Sequence, residues 1–548
     1  MRKILSFLLL LLLGQISFAT HNLAGDITYT HISGLTYEFT VTIFADAASP
    51  AVDRDEIEIN WGDNTGTDSL RIISQTQVQN EPITIIKRIW KGIHTFSGSS
   101  FTYRITVEDP NRNAGVRNMT GSINVPFTIE TQLLTIPVAG EQNNSVQLRN
   151  DPIDQACVGS TFIYNPGAFD PDGVDSIAYQ LVESKASRNS IAPGFFFPSA
   201  SDSLVLNPIT GDLIWDKPEV AGIYNLAILI IEYRRGIRIG SVLRDIQITV
   251  GGNCSNNIPS IFAQQLVCVE AGKTLITSIT GSDTDILDDV TLTATGEPLE
   301  SPISPPNAPR ALFGQRTPNN PITTNFQWNT LCEDVRKQVY TISIKAEDNA
   351  SERNQINLVN FKRLNIRVIS PGPKNASAVS QGKAINLAWD NIECPNASGF
   401  YIYRRRGASG FTPTECIAGV PDGIGYSRIS TIDGISTTNF TDDNEGLGLI
   451  PGQMFCYLIT KFFPDGDESY VSNEVCAEIE KVVPVITKTS IVSTDEATGS
   501  IDLTWSPPTV YDSAGFPEPY KYLIYEEKDG FSQLIDSTNS FNDTAYTY

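Results

Sequence analysis

The sequence is poor in histidine and in basic residues. It has only three histidines, His21, His31 and His94, and its 39 lysines and arginines are outnumbered by 62 aspartates and glutamates, for a net charge of −23. Such an acidic protein is a poor partner for nucleic acid or for an anionic membrane surface. So few histidines also disfavour a zinc site that would combine imidazoles with thiolates.

Catalytic motifs are missing as well. The sequence has no G-x-S-x-G nucleophile elbow and no H-E-x-x-H metalloprotease helix. Gly272-Lys273-Thr274 looks like the end of a phosphate-binding loop, but Val267 stands where the first glycine of that loop is required. We therefore predict that the protein is not an enzyme.

Long apolar runs are absent except at the start of the chain, where Ile4 to Leu13 follow Arg2 and Lys3 and precede Ser17-Phe18-Ala19. This order is typical of a secretory signal peptide, with cleavage near Ala19. The apolar run has about ten residues, whereas a helix needs about 20 to span a bilayer. We expect a mature protein that has no membrane span and is secreted or held on the outer cell surface.

Eight cysteines are present, and no two of them form a C-x-x-C pair. An even number of cysteines in an exported chain predicts disulfide bonds. Spacing alone does not determine the pairing, and proximity in the sequence suggests Cys394 with Cys416 and Cys456 with Cys476.

Hydrophobic residues alternate with polar ones along most of the chain, as in the run from Leu35 to Ile43. Alternation with a period of two predicts strands with one buried face, and clusters of Asn, Gly, Asp, Pro and Ser between the runs predict turns. The predicted class is all-β, with tandem immunoglobulin-like β-sandwich domains in an elongated array. Because Gly/Ser-rich linkers are absent, we expect a semi-rigid rod.

Two internal repeats set the predicted domain boundaries. Asp170 and Trp215 recur at the same spacing as Asp283 and Trp328, and Trp389 recurs as Trp505. The predicted segments are the signal peptide at 1–19, a first sandwich at 20–139, two related sandwiches at 140–252 and 253–370, another type at 371–482, and an incomplete copy of that type at 483–548. The last copy lacks counterparts of the final strands of its neighbour, so we expect the sequence to be a fragment.

Several motifs resemble known modules. Asn60-Trp61-Gly62-Asp63 followed by His94-Thr95-Phe96 is similar to the PKD sandwich, which implies a structural role for His94 beside Phe96. The runs Phe169 to Gly173 and Asn207 to Trp215 resemble cadherin-like or immunoglobulin-like modules, and the segments around Trp389 and Trp505 resemble fibronectin type III modules. We expect both tryptophans to lie in the cores of their sandwiches.

The order of these modules resembles that of Bacteroidota gliding-motility-associated surface proteins exported by type IX secretion. The resemblance implies contact with the export machinery through a C-terminal region that the sequence does not include. It also implies a non-catalytic adhesin that binds a surface polysaccharide or a protein. The alternative is an accessory, substrate-binding or spacer region of a large secreted hydrolase whose catalytic domain lies outside this chain.

Clustered carboxylates are the candidate metal ligands. Hard oxygen ligands on a turn suit calcium, although Asp-Pro-Asp-Gly is also simply a good turn sequence. The candidate ligands are Asp170, Asp172, Asp175 and Glu232 in the second sandwich and Asp283, Asp285 and Asp288 in the third.

The chain has one basic run, Arg404-Arg405-Arg406. Both a solvated turn and a contact for an acidic glycan fit this run, and the turn is the more common meaning of such a run.

Overall fold

The computed structural model describes residues 22–48, 55–80, 83–99, 101–110, 112–136, 141–252, 254–300, 311–314, 316–353, 355–391, 394–414, 416–481, 483–495, 498–511, 519–528 and 530–548. The signal peptide predicted at 1–19 lies outside these residues. Within them, no helix combines the length and the apolar character that crossing a membrane requires.

Strands make up almost all of the regular structure, which confirms the predicted all-β class. The first two predicted segments contain β1 (Asn22–Ser33), β2 (Thr36–Asp46), β3 (Glu56–Asn60), β4 (Thr67–Asn80), β5 (Ile83–Thr95), β6 (Thr102–Asp109), β7 (Phe127–Leu134), β8 (Gln147–Leu148), β9 (Ile153–Cys157), β10 (Phe162–Tyr164), β11 (Ala168–Phe169), β12 (Ser176–Val182), β13 (Lys185–Ser187), β14 (Ser190–Ile191), β15 (Leu204–Leu206), β16 (Leu213–Trp215), β17 (Gly222–Arg234) and β18 (Ile237–Gly251). A 3-10 turn lies at Ser122–Asn124.

The third predicted segment contains β19 (Ser260–Phe262), β20 (Leu266–Glu270), β21 (Thr274–Ser282), β22 (Val290–Thr295), the short helix α1 (Glu297–Glu300), β23 (Leu312–Phe313), β24 (Ile322–Asn329), β25 (Tyr340–Asp348) and β26 (Val359–Ile369), with 3-10 turns at Cys332–Asp334 and Ala350–Arg353. The remaining strands are β27 (Lys374–Gln381), β28 (Ala384–Asp390), β29 (Gly399–Arg406), β30 (Ser427–Asp433), β31 (Asn439–Asp442), β32 (Met454–Phe462), β33 (Val475–Glu478), β34 (Val485–Ser493), β35 (Ser500–Ser506), β36 (Leu523–Lys528), β37 (Phe531–Ser537) and β38 (Ala545–Thr547).

The contacts divide the chain into two compact units. The first contains the residues up to Val267 together with Thr274–Asn329 and Gln338–Arg367, and the second contains Cys268–Lys273, Thr330–Lys337 and Val368–Tyr548.

A single 13-stranded sheet dominates the first unit and runs across the predicted boundary at residue 139. Its strands follow the order β12-β17-β18-β1-β2-β5-β4-β3-β6-β7-β13-β14, and β9 pairs in parallel with β18. Strand β18, which belongs to the second predicted segment, pairs with β1 and also with β7. It therefore pairs with both the first and the last strand of the first predicted segment. The sheet therefore connects the two segments through their backbones.

Buried ion pairs reinforce this connection. Arg112 donates to both carboxylate oxygens of Asp245 on β18 at 2.8 and 2.7 Å, and both side chains are fully buried. Arg244 lies 3.0 Å from Asp26 on β1. Replacing one partner of such a pair would leave an uncompensated charge in the interior.

Each remaining segment forms two sheets. Sheet β19-β21-β24-β23 and sheet β20-β26-β25-β22 form the third, β27-β28-β31 and β30-β29-β32-β33 form the fourth, and β34-β35-β38 and β36-β37 form the last. The repeated tryptophans meet matching rings edge-on: Trp215 meets Tyr224, Trp328 meets Tyr340, Trp389 meets Phe400, and Trp505 meets Tyr522. Trp389 and Trp505 are both buried, as predicted.

All eight cysteines form disulfides, and one of the two suggested pairings is wrong. Cys456 pairs with Cys476 as expected, but Cys394 pairs with Cys332 and Cys416 pairs with Cys268. The fourth bond joins Cys157 to Cys254. Proximity in the sequence failed because the turns carrying Cys394 and Cys416 fold against residues that precede Pro371.

Candidate functional site

Asp170 organises the acidic turn that follows β11. Its Oδ1 accepts the backbone N–H of Asp172 at 2.8 Å, and its Oδ2 accepts those of Val174 and Asp175 at 2.9 and 2.7 Å. Gly173 has a φ of 71°, which glycine adopts without strain. The carboxylates of Asp170, Asp172 and Asp175 are thereby brought within 4.8 Å of one another. We call these three residues and Glu232 the first acidic cluster.

Arg234, the last residue of β17, supplies a positive charge to this cluster. Its Nε and Nη2 each donate to Asp175 at 2.7 Å, and Nη2 also lies 3.1 Å from Asp172. The guanidinium further donates to the carbonyl of Glu141 at 2.6 Å and to Asn143 at 3.1 Å. A planar guanidinium that binds carboxylates through two parallel hydrogen bonds is among the strongest pairings in proteins. Arg234 thus occupies the position that a bound cation would take.

Glu232 lies on the same strand and is fully buried. Its Oε2 accepts the side-chain amide of Asn143 at 3.2 Å, while its Oε1 has no hydrogen-bond partner. Strand β18 presents Gly240 at this point, where an added Cβ would lie only 2.6 Å from the Tyr29 hydroxyl and 2.9 Å from Glu232. A glycine is required there because any side chain would displace Tyr29 or Glu232.

The charges of the first acidic cluster are strongly coupled. Burial, followed by the negative charges of Asp170 and Asp175, raises the pKa of Glu232 well above its ordinary value. Burial likewise raises the pKa of Asp170 to about 6, against the lowering effect of its backbone hydrogen bonds. Both shifts favour the protonated, neutral form of these two carboxyl groups.

At the first cluster calcium would have to compete with Arg234 for the same carboxylates. Calcium takes six to eight oxygen ligands, but both oxygens of Asp170 accept backbone N–H groups and Asp175 is held by Arg234. Asp172 accepts the backbone and side-chain amides of Asn144. Only the Oε1 of Glu232 is left without a protein donor.

The second acidic cluster, Asp283, Asp285, Asp288 and Asp348, lies at the corresponding turn of the third segment. Asp283 Oδ1 accepts the backbone N–H of Asp285 at 2.8 Å, and its Oδ2 is buried without a hydrogen-bond partner. Asp348 accepts the side chain of Asn256 at 2.8 Å, and burial raises its pKa to about 6. Asp288 is buried, and its backbone N–H donates to the Asp285 carbonyl.

The second cluster differs from the first in having no arginine clamp. Within the described ranges no ion pair involves Asp283, Asp285 or Asp348, and Ala350 stands two residues after Asp348 where Arg234 stands two after Glu232. Its carboxylates are also more widely spaced. Among the residues that the structure describes, only Asp170, Asp172 and Asp175 form a group with oxygens within 4.8 Å.

Paired asparagines, like Arg234, are site residues that the sequence analysis missed. Asn144 binds Asp172 through its backbone and side-chain amides, and Asn257 binds Asp285 in the same way. Their neighbours Asn143 and Asn256 bind Glu232 and Asp348. The signal was present, because an Asn-Asn pair precedes Asp170 and Asp283 at the same distance in both repeats.

His94 has the structural role that the sequence analysis favoured. Its Nε2 lies 2.7 Å from Asp63, and its ring stacks on Trp61 with centroids 4.6 Å apart. These contacts fix the turn after β3 against β5.

The coupled charges predict an unusual pH response for Glu232→Gln. A carboxyl group whose folded pKa is raised stabilises the fold fully below its unfolded pKa near 4, and this contribution is lost as pH rises through the folded pKa. The neutral amide of the variant does not lose this contribution as pH rises. We therefore expect the unfolding midpoint of the variant at pH 8 to lie a few degrees above that of the wild type, which corresponds to about 1 to 2 kcal/mol in the free energy of unfolding. At pH 5 the difference should shrink.

The measurement is thermal unfolding from pH 5 to pH 8, with Glu219→Gln, an exposed site, as the control. If Glu232→Gln lowers the midpoint equally at every pH, the coupling between Glu232 and its neighbouring acids is disproved.

Comparisons with known proteins give similarity only at the level of solved structures. No protein-family model and no curated protein matches the chain. Extracellular domains 3–5 of Drosophila OTK match at 12% identity over 63% of this chain and 99% of theirs, with a TM-score of 0.21. The Ig1-2 module of the Drosophila receptor protein tyrosine phosphatase DLAR matches at 14% over 41% and 98%, with a TM-score of 0.18. Human CDH23 EC21-23 matches at 13% over 60% and 99%, with a TM-score of 0.16. Since these scores are low, the functional proposal depends on this chain's own residues.

Proposed function

We propose that the chain is a non-catalytic, secreted or cell-surface modular protein of the gliding-motility-associated adhesin type, which binds a surface glycan or a protein. The observation that carries this proposal is the way Asp170 and Asp175 are held in the first acidic cluster. Arg234 and backbone amides take up the oxygens of Asp170 and Asp175, so these two acids are not arranged for general acid–base work.

Four disulfides among β-sandwiches support an extracellular setting, where such bonds persist. Export through type IX secretion and cleavage of the signal peptide belong to the same proposal. In it, the sandwiches act as spacers and present binding surfaces to the partner.

Calcium is proposed for the second acidic cluster alone. The buried, unpartnered Oδ2 of Asp283 and the absence of an ion pair at Asp283, Asp285 or Asp348 among the described residues support this choice. At the first cluster calcium would have to displace Arg234.

The test is a binding screen that also follows the fate of the ligand. The secreted chain is incubated with soluble acidic polysaccharides, neutral polysaccharides and extracellular proteins, and retention is measured together with the mass of each recovered ligand. We expect at least one class to be retained and recovered at unchanged mass. Shortened polysaccharide or cleaved protein would contradict the proposal, as would the retention of none of the three classes.

A further inference from the structure

A cavity lies at one end of the β29 sheet in the second unit. Strand β29 pairs with β30 only as far as Arg404 opposite Ser427, but it continues beside β32 as far as Arg406 opposite Phe455. Arg405 and Arg406 therefore have a neighbouring strand on one side only. A cavity of about 270 Å³ opens on the other side.

We call this space the arginine cavity, because Arg404, Arg405 and Arg406 all line it. Ser427 and Asn444 add polar groups, and Leu449, Ile450 and Phe455 are among its apolar residues. The sequence analysis favoured a solvated turn for Arg404-Arg405-Arg406, and this prediction was wrong, because these residues form the end of strand β29.

Arg404 is fully committed to the fold. Its Nη1 lies 3.0 Å from both oxygens of Asp442, its Nη2 lies 3.3 Å from Asn444, and its guanidinium stacks over Phe455. The charge of Arg404 is thus balanced by Asp442 and is not available to a ligand.

Arg405 and Arg406 have no such partner. Across the described ranges neither guanidinium lies within ion-pair distance of a carboxylate, and Nη1 of Arg405 is buried without a hydrogen-bond partner. Leaving a buried donor unpaired is energetically costly, and more so when the donor is charged. Such a group is retained where it meets a ligand or ordered water.

The loop that borders the cavity is conformationally unusual. Asn444 and Glu445 have φ values of 54° and 56°, a left-handed conformation that costs energy in residues other than glycine. The hydrogen bond from the backbone of Asn444 to Asp442 holds this loop against the balanced Arg404.

We propose that the arginine cavity binds the carboxylate of an acidic sugar residue through Arg405 and Arg406. A guanidinium pairs with a carboxylate through two parallel hydrogen bonds, while Leu449 and Ile450 provide an apolar wall for the C–H face of a ring. The cavity is smaller than the roughly 300 to 1,000 Å³ of pockets for drug-sized ligands, which suits one sugar unit. This inference rests on the proposed binding function and specifies its ligand class.

The experiment measures binding of trigalacturonate to the full secreted chain by calorimetry, with a chelator present so that calcium cannot bridge two anions. We expect Arg405→Gln and Arg406→Gln each to weaken binding at least tenfold. Arg428→Gln is the matched control, because Arg428 is exposed, stacks on Tyr401 and does not line the cavity. It should change the affinity less than twofold. Unfolding midpoints of all variants should stay near that of the wild type.

Three results would overturn the inference: no binding of trigalacturonate by the wild type, equal weakening by all three substitutions, or binding of triglutamate as tight as that of the sugar. The first would show that the cavity does not take this ligand. The second would indicate an effect of overall charge, and the third a peptide ligand. If the binding screen finds another retained ligand whose affinity Arg405→Gln leaves unchanged, the proposed function stands and this inference alone is lost.

Discussion

Arg234→Met is expected to destabilise the first unit by about 3 to 5 kcal/mol, because removing one partner of a buried ion pair leaves the other charge uncompensated. Asp175 is buried and receives two hydrogen bonds from Arg234, and Asp172 receives a third. Methionine fills much of the same volume but donates no hydrogen bond. Urea denaturation followed by tryptophan fluorescence, to which buried Trp61 and Trp215 of the first unit contribute, measures the loss.

Arg235→Met is the control for this prediction. The side chain of Arg235 is 81% exposed and reaches only Glu141, so replacing it should have a small effect on the free energy of unfolding. Arg234→Lys keeps the charge but loses the paired geometry, and should lie between the wild type and the methionine variant. A loss below about 1 kcal/mol for Arg234→Met would mean that solvent already neutralises the cluster, contrary to its burial.

The pattern of buried residues was predictable because strand periodicity is local. The run from Leu35 to Ile43 predicted one buried face, and Tyr37, Phe39, Val41 and Ile43 are all buried. Strand β24 shows the same alternation, with Phe326 and Trp328 inside. Each side chain points to the opposite face from its neighbour, so a short segment already reports which residues pack inward.

The pairing of distant strands was not predictable in the same way. Strand β18 joins β1, β7, β9 and β17, and Arg112 meets Asp245 at a sequence separation of 133. Alternation identifies a strand but does not name its partner. The same limit applies to Cys416, which pairs with Cys268 at a sequence separation of 148.

The acidic site was predicted only in part. The Asp-x-Asp turns identified both clusters, because carboxylates spaced by two residues on a turn approach one another. Arg234 was missed because it lies on a strand 59 residues from Asp175, and nothing in its local sequence indicates a buried charge. Its absence from the second repeat, where Ala350 stands, was visible once the repeats were aligned on Glu232 and Asp348.

Because the second acidic cluster has no counterpart of Arg234, we expect calcium to bind there and to increase the stability of the folded chain. A ligand present at 100 times its dissociation constant stabilises the folded state by about 2.7 kcal/mol. We expect thermal unfolding of the chain in calcium, compared with chelator, to show this increase. Asp285→Asn should abolish the increase, since it removes a charge next to the unpartnered Oδ2 of Asp283.

Two further variants make this prediction specific. Asp202→Asn removes an exposed acid and should leave the calcium response intact. Asp172→Asn should leave it intact as well, because Arg234 already balances the first cluster. A response that disappears with Asp172→Asn but survives Asp285→Asn would place the ion at the first cluster, which would require Arg234 to leave Asp175 when calcium binds. No response in the wild type would disprove calcium binding at the second cluster.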